Sequence, residues 1–337
     1  MSPNAWTPGP RNLLTDLDGI RVGNASDETL RSGTTVVLFD EPAVASSLTL
    51  GGAPGTRDTE LLDPTQTVSQ VDAIVLSGGS AFGLDAASGV QAHLRAENRG
   101  FEVAGMRVPI VPGAILFDLA NGGDKDWGLW SPYREFGWEA ARNAGSSFDL
   151  GTAGAGTGAT TATVRGGLGS ASTILPSGLC VAALVAVNAV GSPLVGGTSA
   201  FWAAPFELDG EFGAGAWPSF RPGEAMVPRT KFDPRPGTNT TIGLIATNAV
   251  LTKAGCKRLA VAAHDGFARA LYPAHTDFDG DLVFAAATGR SGIAPSPVEG
   301  LELASAASAT MARAIARGVF HARSRLGDTL PAWRDMA

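Results

Sequence analysis

Asn239, Thr240 and Thr241 stand together at the head of an apolar run, Ile242–Thr247. A threonine hydroxyl is a weak nucleophile until a base takes its proton. An amino-terminal threonine brings that base with it, because its α-amine has a pKa near 7.7–8.0 and is partly neutral at pH 7. Making such a terminus here requires breaking the peptide bond between Asn239 and Thr240. The hydroxyl would attack the preceding carbonyl, and water would hydrolyse the resulting ester. The same residues also suit an ordinary turn leading into a strand, so this stretch by itself leaves both readings open.

Other segments carry groups of use to such chemistry. His275 to Asp281 (HTDFDGD) places acidic residues at alternate positions. A calcium loop counted from Asp277 would need Glu at its twelfth position, and Thr288 stands there. If the segment is extended, its alternate carboxylates face one side, where they could orient an ammonium group or a nucleophile; a solvated turn is the other reading. Leu76 to Asp85 (LSGGSAFGLD) reads as strand, glycine turn and helix start, with Ser80 as the expected helix cap. It lacks the Gly-Lys-Ser/Thr of a phosphate loop and the full glycine pattern of dinucleotide folds. Asn188 ends an apolar strand, where it is either a turn former or a buried amide with a task. Gly154–Ala159 (GAGTGA) is a turn that could approach a substrate closely, and His93, His264, His275 and His321 show no metal-ligand spacing. No metal or cofactor is expected.

These groups need a framework. Thr34–Phe39, Ala73–Ser77, Leu179–Val187, Thr241–Thr247 and Leu282–Thr288 read as strands, most of them apolar throughout, as when a sheet is covered on both faces. Helical spacing follows in Phe82, Ala86, Val90 and Leu94, in Leu259, Ala263, Phe267 and Leu271, and along Leu301–Arg323. The expectation is a layered α/β protein. Residues 191–238, with Trp202 and Trp217, read as a long irregular connection that ends in the stretch from Pro234 to Thr241. Hydrophobic residues are 44% of the 337 and charged residues 17%, which supplies a core and excludes a disordered chain. A net charge of −7 gives no electrostatic reason to bind nucleic acid. No apolar run reaches the ~18–20 residues that span a bilayer, and residues 1–10 show no secretory pattern. Cys180 and Cys256 are isolated from each other, so a reduced, cytoplasmic compartment is expected.

Taken in order, LSGGSAFGLD, Val108–Asp118 (VPIVPGAILFD), GAGTGA, Val185–Gly191 (VAVNAVG), Asn239–Asn248 (NTTIGLIATN) and HTDFDGD resemble the DmpA-type aminopeptidases. These are self-cleaving N-terminal-nucleophile hydrolases that include β-peptidyl aminopeptidases and nylon-oligomer hydrolases. The resemblance implies a four-layer α/β/β/α sandwich forming a single hydrolase domain. It implies cleavage into residues 1–239 and 240–337, with Thr240 as nucleophile and its new amine as base. It matches Asn188 to an oxyanion asparagine, and Asp279 and Asp281 to residues holding the nucleophile and its amine. Gly79, Ser80, Phe117 and Arg165 fall at substrate-lining positions. A peptide or linear amide is the implied substrate, and a homo-oligomer, often a tetramer of cleaved units, the implied assembly. Two departures stand out: relatives with a lysine just after GAGTGA are matched here by Thr163, with Arg165 nearby, and relatives with a tyrosine at the Phe117 position are matched by a side chain with no hydroxyl. A self-cleaving acyltransferase of the ornithine acetyltransferase type, or a binding protein that never matures, are the alternatives.

Overall fold

The computed structural model describes residues 6–213, 223, 226–231 and 239–336. The chain runs through β1 (Ile20–Asp27), β2 (Ser32–Thr49), β3 (Thr56–Arg57), β4 (Gln70–Ser77), α1 (Ala86–Ala96), β5 (Phe101–Val103), β6 (Met106–Val108) and β7 (Gly113–Ile115). It continues through α2 (Tyr133–Arg142), β8 (Gly167–Ile174), β9 (Cys180–Val187), β10 (Ile242–Thr247), α3 (Lys253–Ala270), β11 (Leu282–Ala287) and α4 (Pro297–Phe320). Hydrogen bonds join the strands in the order β3-β7-β4-β2-β11-β10-β9-β8, with β1 added to β2, while β5 and β6 form a separate hairpin.

Strands apolar on both faces need two covers, and alternate residues reach different cores. In β9, Val181, Ala183, Val185 and Val187 pack with Phe267 of α3 and Met311 and Ile315 of α4. Leu184 and Ala186, on the opposite face, meet Val37 and Phe39 of β2 and Ile74 and Leu76 of β4. The far faces of β2 and β4 present Val36, Leu38, Ala73 and Val75 to Val90 and Leu94 of α1 and to Phe136 and Ala140 of α2. These successive apolar interfaces separate helix, sheet, sheet and helix, the four-layer α/β/β/α sandwich that was expected. β2 belongs to both sheets: Thr34–Leu38 pair with β4, and Val44–Thr49 pair with β11. Its register with β4 shifts between Leu38 and Ala43, an irregularity of the kind that bends a strand.

The expected strands and helices are present, with one local difference. Residues 80–85 form a 3₁₀ turn, α1 starts only at Ala86, and Phe82 is half exposed rather than on the buried stripe. Ser80 is not a helix cap. Gly79 (φ +84°) and Ser80 (φ +53°) are both left-handed, and the Ser80 amide donates to the Leu116 carbonyl. A left-handed pair cannot open an α-helix directly. β1, β3, β5, β6, β7, β8 and α2 are additional elements. β8 escapes a search for apolar runs because its buried residues are largely Gly, Ser and Thr, with Ser170 Oγ donating to the Ala183 carbonyl at 2.7 Å.

Within the connection expected at 191–238, Trp217 and the stretch 232–238 lie outside the described residues. The part up to residue 213 is anchored to α4, where the buried Arg313 donates to both carboxylate oxygens of Glu211, at 3.0 Å to Oε2. No helix among the described residues is long and apolar enough to cross a membrane.

α1 and α2 touch at glycines. A Cβ on Gly89 would lie 1.9 Å from the Arg134 carbonyl oxygen, and one on Gly137 would lie 2.0 Å from that of Ala86. Glycine to alanine inside a helix normally stabilises by about 1 kcal/mol. Here Gly89→Ala and Gly137→Ala should each destabilise by about 1–3 kcal/mol through overpacking, seen as a lower urea midpoint. An unchanged or raised midpoint would contradict this helix contact.

Candidate active site

The site is assembled by strand register. β10 and β11 are parallel, with Ile242 opposite Leu282. Extending that register towards the amino ends sets Asn239 beside Asp279, and these two residues do form a parallel bridge. β9 runs antiparallel to β10, with Ala186 opposite Ile242, so its continuation brings Asn188 to Thr240. The Thr240 amide donates to the Asn188 carbonyl at 2.9 Å. Three segments far apart in sequence therefore meet because neighbouring strands end at one level.

The Asn239–Thr240 peptide lies at the centre. Thr240 is buried, and its Oγ1 donates to the Asn239 carbonyl oxygen at 2.5 Å. The Gly280 amide donates to the same oxygen at 3.0 Å. The carbonyl is thus polarised by one fixed backbone N–H, placed where a developing oxyanion would be held, while the Thr240 hydroxyl lies against the same peptide. A side chain at Gly280 would collide with Thr240 Oγ1, its Cβ falling 2.6 Å away.

The two buried aspartates support this peptide indirectly. Asp281 accepts from the Thr241 amide at 2.9 Å through Oδ1, and from the His275 amide and Nδ1, both at 2.9 Å, through Oδ2. Asp279 accepts from the Val190 amide at 3.0 Å and from Thr276 Oγ1 at 2.7 Å. Burial, and then the neighbouring Asp281 charge, push the Asp279 carboxyl above its usual range. For His275, burial works against the charged form, but the hydrogen bond and charge of Asp281 outweigh it and its pKa rises. Asp277, the third acidic residue of the segment, is exposed.

Asn188 is held at both ends of its amide. Oδ1 accepts from the Thr160 amide at 3.0 Å, just after the GAGTGA turn, and Nδ2 donates to the Phe117 carbonyl at 2.9 Å. Gly79 and Ser80 connect to the same strand end through Asp118, whose Oδ1 accepts the Gly79 amide at 2.8 Å. A Cβ on Gly79 would fall 2.1 Å from the Tyr133 ring, so only glycine fits between ring and turn. The Tyr133 hydroxyl donates to Ser32 Oγ at 2.9 Å, and Ser32 Oγ to Asp118 Oδ2 at 2.7 Å. This tyrosine therefore braces the turn from below. Arg165 is not brought to the cluster: its guanidinium pairs with Asp328 and donates to the Thr157 carbonyl at 2.7 Å, fastening the carboxy-terminal segment. Thr163, at the position of some relatives' lysine, meets Ser192 Oγ at 2.9 Å.

The site does contain a lysine that the sequence reading missed. Lys231 Nζ donates to Asn239 Oδ1 at 2.6 Å and to Asn188 Oδ1 at 3.3 Å. Burial lowers its pKa to about 7, against the opposing pull of the Asp279 carboxylate. No motif marks it. It lies in the irregular connection and reaches the site only through the folded chain.

The sequence profile described as "Peptidase family S58" matches residues 12–329. The chain belongs to this family. An uncharacterized aminopeptidase of Mycobacterium tuberculosis is 42% identical to this S58 chain over 348 aligned positions, which cover 96% of this chain and 98% of the relative. A 6-aminohexanoate-oligomer endohydrolase of a Kocuria species is 28% identical, covering 83% and 76%. In fold, the chain is similar to a Burkholderia β-aminopeptidase, with TM-score 0.71, 21% identity, and 97% and 92% of the two chains covered. It is likewise similar to an aminopeptidase of Ochrobactrum anthropi described as a variant of the Ntn hydrolase fold, with TM-score 0.66, 18% identity, and 97% and 92% covered. Membership of S58 makes the chain a hydrolase of peptide or amide bonds.

Lys231 is one of only four lysines, so its ionisation can be read directly. In [13Cε]lysine-labelled Thr240→Ala protein, one NMR signal should titrate with a midpoint near pH 7 and be absent from the Lys231→Met double variant. A Lys231 signal titrating near the ordinary value of about 10.4 would contradict its half-buried placement between Asn188 and Asn239.

Proposed function

We propose that the chain is a self-cleaving amide hydrolase whose nucleophile is Thr240. The contact of Thr240 Oγ1 with the Asn239 carbonyl oxygen, at 2.5 Å, carries this reading. Attack by Oγ1 on the Asn239 carbonyl carbon forms a tetrahedral oxyanion beside the Gly280 amide. Collapse breaks the C–N bond and passes the proton given up by Oγ1 to the Thr240 nitrogen, leaving an ester between Asn239 and Thr240 Oγ1. Water cleaves that ester. The products are a chain ending at Asn239 with a carboxylate and a chain beginning at Thr240 with a free amine.

The same atoms then serve turnover. The new amine, beside the Asn188 carbonyl, takes the proton of Oγ1 as it attacks a substrate amide. Asn188 Nδ2 carries two hydrogens, one of which is used on Phe117, so the second can meet the oxyanion. The amine of the substrate leaves with a proton, and water clears the acyl ester. Asp279 and Asp281 hold the backbone on either side of the reacting groups. The substrates in this reading are peptides with a free amino end or linear ω-amino amides such as 6-aminohexanoate oligomers, since named relatives include an aminopeptidase and an oligomer endohydrolase. Gly79, Ser80 and Phe117 are assigned in this reading to the substrate-lining positions, with the Phe117 carbonyl bonded to Asn188. A cytoplasmic location, in keeping with the free thiols of Cys180 and Cys256, and an assembly of four cleaved units belong to the same proposal.

Thr240→Ala should remain a single 34.3 kDa chain without amidase activity, whereas Thr240→Ser should retain both cleavage and turnover. Asn188→Ala should lower kcat by about 10²–10³, the cost of losing one oxyanion donor. Hydrolysis of an amino-acid p-nitroanilide by Thr240→Ala protein would refute the assignment. Acyl transfer to an added amine in place of acid release would move the reaction to the acyltransferase class.

A further inference from the structure

The uncleaved chain is its own first substrate, and Asn239 is the residue whose carbonyl is attacked. Its contacts therefore outline the acyl subsite. The Asn239 amide donates to the Phe278 carbonyl at 3.3 Å, its carbonyl oxygen meets the Gly280 amide at 3.0 Å, and its side-chain Oδ1 accepts from Lys231 Nζ at 2.6 Å. Resting on the reading of Thr240 as nucleophile, we propose that Lys231 is a specificity residue that selects amino-acyl residues with a carbonyl or carboxylate oxygen on the γ carbon, asparaginyl or aspartyl.

Two arguments support this. If turnover uses the Gly280 amide beside Asn188 Nδ2, as self-cleavage does, an acyl carbonyl attacked by Thr240 lies where that of Asn239 lies, with its side chain aimed at Lys231. A free amino end would then face the Phe278 carbonyl in place of the Asn239 amide. Lys231 is also anchored independently of the bond that breaks. Its own amide donates to the Val190 carbonyl at 3.1 Å, and the Val190 amide is fixed on Asp279 at 3.0 Å. Cleavage releases Asn239 but leaves these anchors in place. The ammonium then faces the position that the Asn239 amide oxygen occupied, and a substrate without an oxygen on its γ carbon would leave a half-buried cation one partner short. Asn188 Oδ1, at 3.3 Å, remains as its other partner.

The test is a comparison of kcat/KM for the p-nitroanilides of asparagine, aspartate, alanine and leucine with the mature protein. The asparaginyl or aspartyl substrate should exceed the leucyl one by about tenfold or more, and Lys231→Met should collapse that ratio while Lys231→Arg keeps most of it. The ratio does not depend on the fraction of protein that has cleaved. Should Lys231→Met fail to mature, free L-asparagine and L-aspartate should inhibit the wild-type enzyme competitively at least about tenfold more strongly than L-leucine. Equal turnover of all four substrates, a ratio untouched in Lys231→Met, or equal inhibition by the three amino acids would overturn the specificity role and leave the Thr240 mechanism standing. Mature protein that hydrolyses none of the amides would instead overturn the Thr240 reading, and this proposal with it.

Discussion

The parallel pairing of β10 with β11 is the constraint on which the site depends. It sets the residues before one strand against those before the other, and it places the Gly280 amide on the Asn239 carbonyl. A slip of one residue would turn every side chain of β10 to the opposite core and carry Thr240 away from its target. The register is held because both faces of these strands are buried: Leu244 and Phe284 face one core, and Ile245 and Val283 the other. The hydrophobic layers thus fix the position of a polar bond they do not touch.

The polar groups gathered at that bond are almost all paired, as burial requires. Asp281 and Asp279 accept from backbone amides, Asn188 is held at both ends, and glycine is required where Gly280 passes Thr240 and where Gly79 passes Tyr133. Lys231 is the exception in kind. A cation shared between two neutral amide oxygens is less well compensated than one paired with a carboxylate, and its lowered pKa expresses that cost. Such a group suits a place where a ligand will later bring the missing partner.

The layered fold was legible because apolar runs such as Leu179–Val187 and Leu282–Thr288 are long enough to require covers on both faces. Thr240, Asn188, Asp279 and Asp281 were legible as an ordered set of segments, and the register explains why that order matters: each segment lies at the end of a strand in one sheet. What the sequence hid depends on long-range contacts. Ser80 resembles a helix cap but occupies a left-handed turn set by Asp118 and Tyr133. Arg165 stands near the substrate-lining motifs, yet its side chain turns away to Asp328. Lys231 reaches Asn188 and Asn239 from the irregular connection, a different segment from Thr163, which no local spacing could reveal.

The central claim is that the nitrogen of Thr240 becomes a chain terminus. Intact-mass measurement of catalytically active protein, with amino-terminal sequencing of the smaller fragment, tests it most directly. The account predicts two chains that break between residues 239 and 240, the smaller beginning Thr-Thr-Ile. Full activity in an unbroken chain, or a smaller fragment with any other first residue, would contradict it.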